Sequence, residues 1–330
     1  MLYNSKKNKI LYRVDGGRVW GVSMGHLKRA LIIADRLSKE YDIIFVMKNY
    51  SDGVAYVKDR GFDIEIVDDG KNYNEDLIRL TEKYCPNKVI FDLKATNYGK
   101  FFIFARKNNI KTVVFDILGN CDSQPDILIN DSFVPEFTTY PFKGNKTDLY
   151  LGPQYFLSDK LPQPFKPNNG VANVAVTMGG SDPAGLTRKI VSLLLKLDIK
   201  KSYNIILGPL FPDVEEGEIR DMCCERNNFN ICRNPLNFLE ILAKQDIIIC
   251  AGGRTLYECA YLGRPTIIVP SIAHEDLTAK KYSELTGCSN IGLWGVSTLN
   301  KIRDAMAKYE DFSFRKEIYD LSRTLVDGSA

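Results

Sequence analysis

Residues 23–37 read SMGHLKRALIIADRL, with apolar residues at 27, 30, 31, 34 and 37, the spacing of one buried helical face. KILYRV at 9–14 precedes this stretch and DIIFVM at 42–47 follows it, both short apolar runs of strand type. A strand, a helix and a second strand in that order make the βαβ unit of a parallel sheet. His26, one of only two histidines in the chain, follows a glycine at the mouth of this helix. A capping or solvated side chain is the ordinary reading of that position, and a reacting imidazole is the other.

The same alternation continues on both sides of a break. GVAYVKDRG, FDIEIVD, NEDLIRLTEKY, KVIFDL, YGKFFIFARKNN and KTVVFDI succeed one another, and DILIND adds a short strand. Continuous apolar runs separated by amphipathic helices indicate a parallel sheet covered on both faces. Residues 158–170, SDKLPQPFKPNNG, hold three prolines and no periodicity, which marks a linker. Alternation resumes at VANVAVTMGG, runs through YNIILGP, NFNICRN, DIIICAG and PTIIVP, and ends in a helical tail. The chain of 330 residues is long for one core. The expectation is an α/β protein of two doubly wound, Rossmann-like domains, 1–157 and 171–330, joined by a hinge at 158–170. Ligands of such sheets bind outside the carboxyl ends of the strands, so a cleft between two such edges is expected.

Composition excludes several classes. The net charge of +3 comes from 44 basic and 41 acidic residues, too balanced for a nucleic-acid partner. No run approaches the ~20 apolar residues of a membrane span, and the start is no secretory signal. The eight cysteines form no C-x-x-C pair, as expected of reduced thiols in a cytoplasmic protein. Neither a metal nor another cofactor is expected, because histidine is scarce and no ligand cluster has metal spacing.

Two glycine turns are the clearest anion-binding candidates. In VAVTMGGSDPAGLTRKI a strand ends at Met178, and Asp182-Pro183 opens a helix with proline suited to its first turn. Such a turn aims backbone N–H groups at a phosphate, although Asp182 also fits a plain helix cap. DIIICAGGRTLYECAYLGRPTIIVP repeats the device with Gly252 and Gly253. Glu258, one turn into the following helix, suits a ribose diol beside a diphosphate, or simply the helix dipole. The expected nucleotide site comprises Gly179, Gly180, Ser181, Asp182, Gly252, Gly253, Thr255 and Glu258.

Together, GHLKRALIIADRL, MGGSDPAGLT and AGGRTLYECAYLGRPTIIV resemble the UDP-sugar hydrolases of the pseudaminic-acid pathway and their spore-coat-polysaccharide relatives. LGPQYFL at 151–157 is similar to a short segment of that family before its hinge. The resemblance implies the two-domain GT-B architecture and metal-free hydrolysis of UDP-2,4-diacetamido-2,4,6-trideoxy-β-L-altrose. It also implies that the histidine of the Gly25-His26 motif activates the attacking water. A helix N-terminus disfavours the imidazolium, which agrees with a base working near neutral pH.

Other residues carry two readings each. Asp92 closes KVIFD and matches an aspartate of the family, fitting a sugar contact or a loop cap. Asp15 fits a sugar hydroxyl contact or the cap of the turn before Gly16-Gly17. Arg29, one turn beyond His26, fits a phosphate or carboxylate contact, or an exposed helix charge. Tyr155 fits closure over the substrate, or packing. Two departures from the family stand out. AHEDLTAKK places His274 and Glu275 where the family carries Asn-Gln, and the segment before the motif is bulkier, with Trp20. A GT-B glycosyltransferase using a UDP-sugar donor is the alternative function, and a catalytically silent nucleotide-sugar binding protein is the third.

Overall fold

The computed structural model describes residues 7–17, 22, 24–68, 73–94, 98–142, 146–158, 162–197 and 200–329. Trp20, and residues 159–161 of the proline-rich stretch, lie outside the described residues. The chain divides into two compact units, residues 1–159 and 160–330.

In the first unit five successive buried residues, Ile10 to Val14, fit β1 (Asn8–Val14) to the middle of a sheet with both faces covered. Helix α1 (Met24–Leu37) then buries Leu27, Ala30, Leu31 and Ala34, the stripe read from the sequence. There follow β2 (Tyr41–Lys48), α2 (Ser51–Lys58), β3 (Asp63–Val67) and α3 (Tyr73–Tyr84). Next come β4 (Lys88–Asp92), α4 (Gly99–Lys107), β5 (Lys111–Phe115), β6 (Ile127–Asn130) and β7 (Asp148–Leu151). The seven strands lie in the order β3-β2-β1-β4-β5-β6-β7, all parallel. Phe91 of β4 anchors one face of the core, meeting Tyr98, Phe101 and Phe102 at ring-centroid distances of 4.8–5.7 Å.

The second unit repeats the plan. Its elements are β8 (Asn173–Thr177), α5 (Leu186–Leu197), β9 (Ser202–Leu207), α6 (Asp213–Cys223) and β10 (Phe229–Arg233). They continue with α7 (Phe238–Ala243), β11 (Ile247–Cys250), α8 (Thr255–Leu262), β12 (Thr266–Ile268), α9 (Ala273–Thr286) and β13 (Ser289–Asn290). The helical tail is α10 (Thr298–Lys308) and α11 (Phe312–Leu325). Six parallel strands take the order β10-β9-β8-β11-β12-β13. Buried Arg315 ties the tail down by donating to the carbonyls of Tyr309, Glu310 and Asn168.

The fold class read from the sequence is the one observed, with two local differences. The helix expected at Asp182-Pro183 begins only at Leu186, because Asp182 takes a positive φ of 42° and the chain turns once more. Strands β7 and β13 carry no sequence signal of their own; β7 is only four residues long and mostly exposed, and β13 has two residues, so neither has the apolar run of a core strand.

Candidate active site

In an open parallel sheet the ligand crevice lies at the carboxyl edge, where the strand order reverses. In the first unit that reversal falls between β1 and β4, whose ladder ends at the pair Val14 and Asp92. His26 enters from the helix that follows β1, and Asp92 is the last residue of β4. The His26 Nδ1 stands 2.6 Å from Asp92 Oδ1. Arg29, one turn further along α1, donates from Nε to Asp92 Oδ2 at 2.7 Å and from a terminal nitrogen to Oδ1 at 2.6 Å. Its other terminal nitrogen lies 3.4 Å from Asp131, just past the end of β6, and its guanidinium stacks over Phe115.

Burial decides what these groups can do. His26 is 7 % exposed, Arg29 and Asp131 2 %, and Asp92 has no exposed surface. Burial alone would raise the Asp92 carboxyl, but the charge and hydrogen bonds of Arg29, then the contact with His26, hold it down at about 2. Burial penalises the Arg29 cation, and Asp92, with Asp131 behind it, outweighs that and pushes the guanidinium above its ordinary range. Asp92 is therefore an anion at neutral pH. An anion can only accept, so His26 donates its Nδ1–H to Asp92, and in the neutral ring this arrangement makes Nε2 the accepting nitrogen.

Arg29 makes the carboxylate contact that is one of its sequence readings, with Asp92 as the partner, and both side chains are buried against His26. Asp15 is held by neighbours of its own. Its carboxylate is gripped by buried Arg13 at 2.6 and 2.7 Å and accepts the Lys48 backbone N–H at 2.9 Å. It fastens the ends of β1 and β2 together, and Arg13 reaches on to the Tyr98 hydroxyl at 3.0 Å. Gly25 lies in the first turn of α1 beside His26. Tyr155 sits in a short 3₁₀ turn, Pro153–Tyr155, with its ring edge-on to Tyr150 at 5.5 Å.

In the second unit the reversal falls between β8 and β11, and Thr177 pairs with Cys250 at their ends. The two glycine turns, about 75 residues apart in sequence, therefore leave the sheet side by side. Gly179 has a φ of 82°, a conformation natural only to glycine. Asp182 is buried and both its oxygens are used: Oδ1 accepts the Leu186 N–H at 2.9 Å and Oδ2 the Thr187 N–H at 2.7 Å. It caps α5, the plainer of the two readings the sequence allows it. Gly180 and Ser181 remain half-buried on the turn. Thr255 opens α8, and Glu258 lies half-buried in its first turn.

Residues not singled out from the sequence complete both sites. Asp131 closes ILIND as Asp92 closes KVIFD, so the same position rule finds it. Gly208, after β9, reads in the sequence only as part of a strand end. A Cβ there would stand 2.3 Å from the carbonyl oxygens of both Gly179 and Gly180, and the Leu210 N–H already donates to Gly180 at 2.9 Å. Among the described residues no group of three or more His, Cys, Asp or Glu side chains is placed to hold a metal ion. Likewise no helix among them is long and apolar enough to cross a membrane. All eight cysteines are free thiols.

No protein-family model matches the chain. An uncharacterized protein of Methanocaldococcus jannaschii is 28 % identical over 277 residues, 79 % of this chain and 55 % of that one. The chain thus spans about half the length of that relative. The spore coat polysaccharide biosynthesis protein SpsG of Bacillus subtilis is 23 % identical over 322 residues, covering 95 % of this chain and 93 % of its own. Among solved structures, MurG of Acinetobacter baumannii superimposes with a TM-score of 0.69 at 15 % identity, covering 98 % of this chain and 96 % of that one. The UDP-GlcNAc 2-epimerase of Neisseria meningitidis, bound to UDP-GlcNAc, gives 0.61 at 12 % identity over 97 % and 96 %. The fold is that of the GT-B glycosyltransferases such as MurG, two Rossmann-like parallel-sheet domains.

Proposed function

We propose that the protein hydrolyses a UDP-linked diacetamido-trideoxy sugar to UDP and the free sugar, for nonulosonic acid or surface polysaccharide synthesis. The observation that carries this reading is the 2.6 Å contact between His26 Nδ1 and the buried Asp92 carboxylate. It fixes the imidazole in the tautomer whose Nε2 accepts a proton. Water loses that proton to Nε2 as its oxygen bonds to the anomeric carbon, and the bond from that carbon to the UDP oxygen breaks. Displacement on the opposite face inverts the centre, and no sugar–enzyme intermediate forms. General-base help of this kind is worth about 10²–10⁴-fold in rate.

The nucleotide assignment rests on the second unit. Two glycine turns beside one another at a strand-order reversal supply the backbone dipoles that a diphosphate requires, so no metal is needed. The similarity to SpsG supports a place in polysaccharide synthesis, and the epimerase of like fold was solved with UDP-GlcNAc.

The likeness to MurG favours a second reading, a glycosyltransferase. The same base would then deprotonate an acceptor hydroxyl instead of water. A panel of UDP-sugars, with and without sugar acceptors, separates the two by UDP release. Release without acceptor, with ¹⁸O from labelled water at the anomeric oxygen of the product, is expected. Release only with acceptor would establish the transferase, and no release from any UDP-sugar would end both readings.

A further inference from the structure

Burial singles out a small set of ionisable groups in the first unit. Among its described residues the buried arginine, histidine and aspartate side chains are Arg13, His26, Arg29, Asp92, Asp116 and Asp131. Arg13 is paired with Asp15, and Asp116 accepts the Leu118 N–H at 3.1 Å and the Cys121 N–H at 2.9 Å. The phenols of Tyr12 and Tyr98, also buried, are uncharged near neutral pH. The charged groups of β2 and α2, which also pack on α1, are Asp42, Lys48, Asp52 and Lys58, and all keep contact with solvent. The other four buried groups touch in a row: His26, Asp92, Arg29 and Asp131. Strand β5 separates β4 from β6, and Arg29 bridges the two aspartates above Phe115 of β5.

Carboxyl groups are anions at neutral pH, so in this row two carboxylates face one guanidinium. With a neutral imidazole the row carries one surplus negative charge, sealed from water. Neither orienting the ring nor pairing the guanidinium needs a second carboxylate. A proton taken up at His26 Nε2 cancels the surplus. Away from water a new cation is costly unless an opposite charge is already near.

We infer that Asp131 is a positioning residue for the base: through Arg29 it leaves the His26–Asp92 pair with the negative charge that stabilises the imidazolium formed in the reaction. This rests on the hydrolase reading above. The proton passes from water to Nε2 as the water oxygen bonds to the anomeric carbon, and the electron pair of the broken bond leaves with UDP. The row then holds as many positive charges as negative ones.

The chain has only two histidines, His26 and His274. NMR of the histidine-labelled full chain therefore follows both rings through a pH titration, with His26→Asn assigning the signals. Asp131→Asn removes the surplus charge and leaves Arg29 with Asp92. It should lower the His26 midpoint by about one pH unit, the lower end of what a neighbouring charge produces, and leave His274 unmoved. Turnover of the UDP-sugar should fall roughly three- to tenfold at its high-pH plateau, as expected when a base weakens, with KM unchanged. Its acidic limb should move down with the midpoint. Arg29→Gln should move the midpoint up. Thermal melts show which variants are folded, and Asp131→Ser repeats the charge removal without an amide. A His26 midpoint unchanged in folded Asp131→Asn or Asp131→Ser, or one that falls while the plateau rate holds, would overturn the inference and leave the hydrolase reading standing. A wild type that turns over no UDP-sugar would remove that reading, and the role of Asp131 in it, whatever the midpoints.

Discussion

His26 and Asp92 lie 66 residues apart in sequence and are joined by one hydrogen bond of 2.6 Å, with the aspartate wholly sealed from solvent. That bond makes two substitutions informative together. His26→Asn should keep the fold and the UDP affinity and lower turnover by roughly 10²-fold or more, the loss expected of a missing general base. A variant that turns over normally would return His26 to a helix-start role. One whose UDP affinity falls in step with its rate would make His26 a binding residue.

Asp92→Asn preserves shape and removes charge, so Arg29 is left buried with only the more distant Asp131. Breaking a buried ion pair from one side costs about 3–5 kcal/mol, and the remaining Asp131 contact places the expected loss near the lower end. Turnover should fall with it, since an amide no longer selects the tautomer. Denaturant titration and single-turnover rates measure the two effects separately. An Asp92→Asn variant as stable as the wild type would contradict this ion pairing.

Asp92 also sets an acid limit. Its carboxyl is lowered in the folded protein from 3.8 to about 2. A lowered folded value means the stabilisation is present above pH ~4 and is lost as the pH falls toward 2. The amount is about 2 kcal/mol. Denaturant midpoints at about pH 5 and about pH 2.5, on either side of the ordinary carboxylate range, should show this loss in the wild type and a smaller one in Asp92→Asn. Equal losses would assign acid unfolding to other carboxylates.

Asp182→Ala distinguishes a cap from a ligand contact. Loss of the two bonds to Leu186 and Thr187 should cost about 0.5–2 kcal/mol, while UDP affinity changes little provided the turn keeps its shape. A large drop in affinity with unchanged stability would restore Asp182 to the nucleotide site.

Gly208→Ala tests the packing beneath that turn. A methyl group 2.3 Å from two carbonyl oxygens forces the Gly179-Gly180 loop to move. The expected cost is about 1–3 kcal/mol, typical of overpacking, with weakened UDP binding although no ligand contact is removed. Unchanged melting and affinity would show that the loop yields freely. In all these assays turnover should survive EDTA, and loss with rescue by a divalent ion would overturn the metal-free route.

Much of the fold was legible because its strands are buried on both faces. IIIC at β11 and VIF in β4 advertise themselves as apolar runs, the second closed by Asp92, and α1 shows its buried face in its spacing. The site was legible in part. A glycine before a histidine and an aspartate at a strand end mark positions, not pairings. Which partner Asp92 takes depends on β4 lying next to β1, a long-range fact that no local pattern contains. The same is true of Arg13, which reads as an ordinary strand residue and proves to hold Asp15. Sequence reasoning gives the polar atoms at the carboxyl edge to a ligand, whereas several are consumed by the protein's own backbone and cations.

Among the described residues every strand pairing of the two sheets is parallel. Parallel neighbours cannot be closed by a tight hairpin, so each ladder waits for a crossover to be traversed first. The central ladders are the slowest to assemble: β1 must find β4 across some 75 residues, and β8 must find β11 across a similar span. Until each search ends, the apolar strand edges stay open to other chains. On the ribosome the first unit has all seven of its strands before any strand of the second is made, so the two searches are separated in time. Refolding from denaturant begins both at once, and recovery there should fall with protein concentration in a way that synthesis avoids.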